Sequence, residues 1–568
     1  MRARYACIVS PFPIEDFSVF DGKIGAIAVS RKPAPFNMIV YSDSNYSAKT
    51  VAEQTQIIFG QAFPYSDSQD KFRSSANERS IKVSWGGYVM VTARPDGSVE
   101  VLRDAGAHIP CYYFKDGDIL LIASDVDLLS ALHGRPFDVD WDIVGSELRF
   151  PTHFGRPTAL TGVMELMPGE ALQISPTGFS TTLQWNPAIF AAGSAPMNFV
   201  DAVDLLSQAL DVVMRTLAHH YPRSLLTVSG GLDSSIVASE YHRCSGRGDY
   251  ITFYTDDPIG DERPFSRALA VEFGADLIEI GYQAPTLSQF LDARSHLPRP
   301  THKFIGDLIS ASLRDAVLHN GADAILNGYG GDNIFCFLRS SLPLVDRLKS
   351  RSKVFELFKT LDDISQLSGA TWLQVAAQVI GYLWRGQLTM QPVPNMLLNR
   401  DFGSKPKPEL QHPWISAASE ISLGKCAHIA SIVRAHRHLE QFSVASSVVN
   451  ISPLLLTPVV EACLTIPTWL WCDHGIDRAV ARHAARSLPS YIQKRRSKSS
   501  PIPLHATFFD NYRSDLIDLI RNGRLAKAGL IDLDQLNFCS DAPLQLKGAD
   551  FMQILDLVDA ELWSCSWN

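Results

Sequence analysis

Hydrophobic and polar positions change rhythm twice along the chain. Up to about residue 190, short apolar or alternating runs recur at Tyr88–Ala93, Val99–Leu102, Cys111–Phe114, Ile119–Ala123 and Ala171–Ile174. Turn signals such as Pro95-Asp96-Gly97 and Lys115-Asp116-Gly117-Asp118 separate them. Short strands joined by turns predict a sheet sandwich rather than βαβ units. Residues 191–198, AAGSAPMN, are small, polar and interrupted by proline, and read as a linker. After it, Val203, Leu206, Leu210 and Val213 fall at helical spacing within Phe199–Ala218. Strand and helix then alternate. The strands are Leu225–Val228, Tyr250–Tyr254, Leu277–Ile280 and Ala324–Leu326; Ser266–Phe273 and Gly306–Leu318 read as helices. This predicts a doubly wound α/β domain with ligands beyond the C-terminal strand ends. From about residue 336 the pattern is mostly helical, and Asp556 to Trp563 reads as a docking helix.

Composition narrows the class. The 568 residues are 46% hydrophobic and 20% charged, which suggests two to four globular domains with a substantial core. A net charge of −9 argues against general nucleic-acid binding. The nine cysteines are scattered without CxxC or metal spacing, as expected for free thiols in a reducing, cytoplasmic setting. MRARYACIVSPFP has no long apolar run, so no signal peptide is read there. Two uncharged stretches, Ile364–Trp384 and Phe442–Val460, are broken by glutamine, glycine, asparagine or proline; buried helices or core loops are expected rather than membrane spans.

The candidate chemistry centres on Thr227-Val228-Ser229-Gly230-Gly231-Leu232-Asp233-Ser234-Ser235. An apolar strand precedes it and a helix follows, the layout that turns backbone N–H groups and a helix N-terminus toward an anion. Ser234 and Ser235 are expected to cap that helix and donate to phosphate oxygens. No GxxxxGK[ST] is present; an aspartate stands inside the loop instead, which suits a carboxylate holding Mg²⁺ beside a polyphosphate.

SGGLDSS resembles the pyrophosphate-binding loop of ATP pyrophosphatases, in the version found in asparagine synthetase-like enzymes. The resemblance implies an α/β ATP-pyrophosphatase (adenine nucleotide alpha hydrolase-like) domain with a large helical part, over 199–568, and ATP with Mg²⁺. By that comparison Val228 to Ser235, Thr255, Asn327 and Gly328 contact ATP or pyrophosphate. Asp332, in Asn327-Gly328-Tyr329-Gly330-Gly331-Asp332-Asn333, partners Asp233 on the metal. Thr255-Asp256-Asp257-Pro258-Ile259-Gly260-Asp261-Glu262 resembles the family segment near adenine; Asp261 and Glu262 either order the loop, help with magnesium or favour the helix dipole. Leu488-Pro489 with Arg495-Arg496-Ser497-Lys498 resembles the family's LP…R..K segment. That implies Lys498 as the catalytic cation on the α-phosphate, with Lys494, Arg495 and Arg496 as substitutes. Tyr329 stands where the family has glutamate. The related β-lactam synthetase also carries tyrosine there, which makes Tyr329 a candidate base; Glu440 is a second.

Trp85-Gly86-Gly87-Tyr88, Arg103-Asp104-Ala105-Gly106, Pro110-Cys111-Tyr112-Tyr113, Ala123-Ser124-Asp125 and Leu166-Met167-Pro168-Gly169-Glu170 resemble the family's N-terminal module. The implied fold over 1–190 is an α+β Ntn-hydrolase-like sandwich. Position 2 is Arg2 and the first cysteine is Cys7, so the module reads as an inactive glutaminase relic, with Cys7 a buried structural residue. WGGY, RDAGAHIPCYY, GDERPF, GYGGDNIF and SPLL are in the style of lasso peptide cyclases. That resemblance implies adenylation of an Asp or Glu side chain on a core peptide. The peptide's own N-terminal amine then captures it, in partnership with a leader protease and a leader-recognition protein. The alternatives are a small-molecule amide or β-lactam synthetase, an asparagine synthetase, and a non-enzymatic peptide-binding scaffold.

Overall fold

The computed structural model describes residues 4–10, 27–32, 37–42, 46–51, 54–65, 84–192, 197–255, 261–282, 285–292, 297–301, 312–313, 315–317, 319–350, 352–388, 395–400, 402, 406–442, 448–496, 502–541 and 550–567. Its first third consists mainly of antiparallel strands. They are β1 (Tyr5–Ser10), β2 (Ile27–Lys32), β3 (Asn37–Ser42), β4 (Tyr46–Val51), β5 (Gln54–Pro64), β6 (Ser84–Ala93), β7 (Val99–Arg103), β8 (Tyr112–Asp116), β9 (Ile119–Ala123), β10 (Met164–Glu165), β11 (Glu170–Ser175) and β12 (Gly178–Leu183). Among the described residues they form two six-stranded sheets, β10-β8-β9-β1-β3-β2 and β12-β11-β7-β6-β5-β4.

Period-two alternation makes these sheets a sandwich. Tyr5, Cys7 and Val9 share one core with Phe59, Val91 and Val101 of the other sheet, whereas Ala6 and Ile8 join a second core on the opposite face. That outer face is covered by α1 (Val126–His133) and α2 (Trp141–Arg149). Each begins on an aspartate: Asp125 accepts from the Leu128 N–H and Asp140 from the Ile143 N–H. Cys7 is buried in mid-strand, and burial, with Cys111 adding to it, pushes its thiol far above the usual range. It is the structural residue the sequence suggested. Arg2 lies outside the described residues.

The second part opens with α3 (Phe199–His220), whose Asn198 side chain caps its N-terminus. Then follow β13 (Arg223–Thr227), α4 (Leu232–Arg243), β14 (Arg247–Tyr254), α5 (Arg263–Phe273), β15 (Leu277–Gly281), β16 (Ala324–Leu326) and β17 (Val449–Ile451). All five strands are parallel, in the order β15-β14-β13-β16-β17. The expected α/β alternation is present and β13 is central. β17 is an addition: its three residues sit in a serine- and proline-rich run with no strand pattern of their own. The helix expected over Gly306–Leu318 falls largely outside the described residues.

Between β16 and β17 the chain makes α6 (Gly331–Ile334), α7 (Leu342–Lys349), α8 (Val354–Ser368), α9 (Trp372–Arg385) and α10 (Leu423–Arg437). After β17 come α11 (Thr457–Thr465), α12 (Ala479–Ala484), α13 (Ile502–Asn522) and α14 (Asp550–Ser564). The final helix docks as expected. Its Trp563 is buried, and the indole N–H donates to the Leu297 carbonyl at 2.7 Å. The stretch Ile364–Trp384 departs from expectation. It is helical but not buried throughout, because α9 covers α7 with Val375 and Val379 alone among its fully buried residues. No helix among the described residues is long and apolar enough to cross a membrane.

The two parts share a core. Trp85, Phe154 and Met167 of the sandwich region cluster with Leu206, Ile236 and Val460. Buried ions stitch the same boundary. Arg299 pairs with Glu147 at 3.0 Å and with Glu165; Arg103 reaches Glu165 at 2.8 Å and Arg437 reaches Glu147 at 2.9 Å. Each buried charge has a partner, as desolvation demands.

Candidate functional site

The site is built where β13 and β16 end. Beyond β13, Val228 donates its N–H to the Ile251 carbonyl at 2.9 Å, which ties the loop to β14. Gly230 turns with φ +70°, and a Cβ there would lie 2.4 Å from that of Phe265. The Ser229 N–H donates to Ser234 Oγ at 3.2 Å, and the Gly231 N–H to Ser229 Oγ at 3.2 Å. Gly231 is the N-cap of α4 and offers no side chain. This corrects the expectation that the serines cap the helix. Ser234 folds back onto the loop, and Ser235 lies buried in the first turn, its hydroxyl with no hydrogen-bond partner among the described residues. A helix start without a side-chain cap keeps its N–H groups for an anion.

Leu232 anchors the helix start in the core. Thr255 follows β14, where Phe253 stacks on Tyr282 at 5.1 Å. Asp261 pairs with Arg263 at 2.7 Å and Glu262 with Arg495 at 2.5 Å. Of the roles open to these two carboxylates, the contacts favour ordering the loop.

The loop after β16 is pressed against α4. A Cβ on Gly331 would lie 2.2 Å from the Asp233 Cγ, and one on Gly328 would lie 2.4 Å from the Ser234 nitrogen. Only glycine permits that approach. Asn327 holds the loop from the side: its Oδ1 accepts from the Tyr329 N–H at 2.9 Å and from Ser452 Oγ at 2.8 Å, and its amide donates to Asn450 at 2.8 Å. Ser452 in turn donates its N–H to Nε2 of His108, from the sandwich region, at 3.1 Å.

Asp233 and Asp332 come together as the sequence predicted. A residue that the sequence reading missed lies between them. Nη1 of Arg478 reaches both Asp233 oxygens at 3.1 Å and Asp332 Oδ1 at 2.5 Å. Arg478 is the N-cap of α12, with φ +51°. Burial works against its charge, but Asp233, Asp332 and Asp477 outweigh it and hold the guanidinium above its usual pKa. Asp477 also binds Arg482 at 2.9 Å, and Arg482 holds the Gln493 and Arg495 carbonyls at 2.8 and 3.0 Å. The signal was Asp477-Arg478 … Arg482, upstream of Leu488-Pro489. The donor set, two carboxylates from two strand ends that share one cation, is made of hard oxygens and fits Mg²⁺. No group of three metal-binding side chains occurs among the described residues.

Arg495 is a latch: it donates to the Gly230 carbonyl at 2.7 Å and stacks on Phe265 at 3.8 Å. Lys494 and Arg496 are exposed beside it. Lys498 lies outside the described residues. Tyr329 is largely buried, and its hydroxyl donates to the Ala435 carbonyl at 3.0 Å. Burial raises its phenol far above the usual range, and Arg434 opposes this in part. Glu440 sits elsewhere, at the boundary between the two parts, where it accepts from the Tyr112 hydroxyl. It lines a cavity with Arg103, Glu165, Arg299, His412 and His436 that has room for about one water molecule.

No curated protein matches the chain. Among solved structures, an NMN synthetase from Francisella tularensis aligns at 15% identity over 23% of this chain and 57% of its own, with a TM-score of 0.19. So slight a likeness, over little more than half of that structure, carries no argument. The family pattern for asparagine synthase matches residues 209–564, which include both loops, Arg478 and the latch. The chain therefore belongs to the asparagine synthase family.

Proposed function

We propose that the protein is an ATP-dependent peptide macrocyclase. It adenylates an Asp or Glu side chain of a leader-cleaved core peptide and joins that carbon to the peptide's N-terminal nitrogen, giving a lasso peptide. The carboxylate oxygen attacks the α-phosphorus of ATP and pyrophosphate leaves. The amine then attacks the acyl carbon, AMP leaves, and the nitrogen loses a proton. The single observation that carries the ligase chemistry is the meeting of Asp233, Asp332 and Arg478 at the uncapped start of α4.

Each residue has a role in this reading. Val228 to Ser235, with Asn327 and Gly328, form the pyrophosphate cradle. Asp233 and Asp332 hold Mg²⁺, which when bound neutralises polyphosphate charge. Arg478 and Lys498 supply fixed positive charge where pyrophosphate leaves. Tyr329 orients the incoming amine or takes its proton; Glu440, held by Tyr112 in a cavity the size of one water, is set aside for that step.

The burial of Cys7 within β1 supports the peptide itself, rather than glutamine, as the source of the amine. On this reading residues 1–190 are a glutaminase-like module of Ntn-hydrolase type without a nucleophile. The two-sheet sandwich with helices on its outer face supports that assignment. Residues 199–568 are the ligase, and the helices after 336 enclose the peptide and exclude water from the adenylate. A leader protease and a leader-recognition protein deliver the peptide in the cytoplasm.

The test is mass spectrometry of a reaction with ATP, Mg²⁺, the protease partners and the precursor encoded beside the gene, next to an Asp233→Ala control. The expected product is lighter than the core peptide by one water, forms with AMP and pyrophosphate, and is absent from the control. Pyrophosphate release without a cyclised peptide would favour a small-molecule amide or β-lactam synthetase. No ATP turnover would leave only the binding scaffold.

A further inference from the structure

Helix α9 has two apolar faces. One packs on α7. The other carries Leu373, Ala377, Ile380 and Trp384, all exposed: Leu373 83%, Ile380 66% and Trp384 89%. Their spacing is four, three, four, that of a seam between two helices. No charged residue interrupts α9 before Arg385. An α-helix apolar on both sides is normally covered on both.

The patch does not stop at α9. Phe358 of α8 lies 6.3 Å from the ring of Trp372, so exposed Phe355 and Phe358 extend it sideways. With Leu383 the exposed side chains offer roughly 1,000 Å² of apolar surface, above the few hundred Å² that a monomer ordinarily shows. A standard stable interface buries ~800 Å² per partner, so a contact here has to draw in the Trp372, Phe355 and Phe358 flank as well as the α9 stripe.

We propose that α9 is the contact of a homodimer, packed antiparallel against α9 of a second copy. The four seam positions are symmetric about the point between Gln378 and Val379. A two-fold axis there sets Leu373 against the second copy's Trp384 and Ala377 against its Ile380, so a large residue meets a smaller one at every step. A two-fold contact must be complementary to itself, and this stripe is. The seam is ~16 Å long. Its ends bring Arg385 over the second copy's Trp372, a cation beside an aromatic face rather than beside a like charge. This surface is separate from the ATP-site residues and does not depend on which substrate the ligase uses.

The experiment is sedimentation velocity on the full-length protein over a concentration series, with two variants, Leu373→Lys and Trp384→Glu. Both positions are exposed, so the variants keep the wild-type melting midpoint. The wild type is expected to dimerise, and each variant alone to weaken dimerisation at least about tenfold. Mixed together, the two variants recover a heterodimer, since the antiparallel register then pairs one lysine with one glutamate and leaves one native Leu–Trp contact. A monomeric wild type overturns the proposal, and so does a monomer that floats with anionic lipid vesicles. A dimer indifferent to both variants, or variants that stay monomeric on mixing, likewise overturns it.

Discussion

At the scale of single residues, Arg478 decides how the two site carboxylates behave. Two aspartates sharing a few ångströms repel unless a cation stands between them, and Arg478 is that cation here. On the proposed reading, Mg²⁺ would have to share these oxygens with the guanidinium. Arg478→Met is expected to lower ATP–pyrophosphate exchange about 10²-fold while reducing the Mg²⁺ concentration needed for half-maximal rate. Arg478→Lys should recover only part of the rate, since an ammonium cannot hold Asp477 with one nitrogen while a second reaches both site carboxylates. A magnesium titration of exchange for the three proteins checks this. Exchange at the wild-type rate in the Met variant would remove Arg478 from the site. Asp233 and Asp332 were legible in the sequence because each lies in a glycine-rich loop that follows a strand. Arg478 was not. It is distant in the chain from both, and the left-handed backbone that aims it is invisible in a one-dimensional pattern.

At the scale of elements, the site depends on how closely one loop lies on one helix. Gly331→Ala would drive a methyl group to 2.2 Å from Asp233 Cγ. The expected cost is ~1–3 kcal/mol of stability, together with loss of most of the exchange activity as the carboxylate is displaced. Gly321→Ala is the control. Its φ is +68° but nothing crowds the added carbon, so it should cost about 1 kcal/mol of backbone strain and leave exchange intact. Denaturant unfolding beside exchange assays separates the two outcomes. Element positions were largely readable. Ile119–Ala123 and Ala324–Leu326 are strands over the residues expected. β14 begins at Arg247, three residues before the apolar run at Tyr250, because pairing with Arg223 to Leu225 extends the ladder into polar sequence. β17 escaped notice because three residues have no period to read, and the exposure of α9 did so because apolar periodicity cannot tell a core from an interface.

At the scale of the whole molecule, buried histidines tie stability to pH. Burial lowers His108 to about 4, His412 to about 3 and His428 to about 3, and carries His436 well below its usual value. Unfolded, each would titrate near 6.5. Between about pH 4 and 6.5 the unfolded chain therefore binds more protons at these sites than the folded one, and stability falls as pH falls through that window. Asp104, Asp346 and Asp363 are pushed up by burial and offset part of the effect. The unfolding free energy measured from pH 7.5 down to 4.5 should decline steadily; a flat or rising profile would contradict the buried, neutral histidines. His108 is the one with a second consequence. It is rooted in the sandwich, yet it accepts the backbone N–H of Ser452, which braces Asn327 under the β16 loop. The sandwich thus helps to fix the loop that carries Asp332. A C-terminal part cut free of the sandwich would lose that brace, and would open to water the face that Leu206, Ile236 and Val460 share with Trp85, Phe154 and Met167.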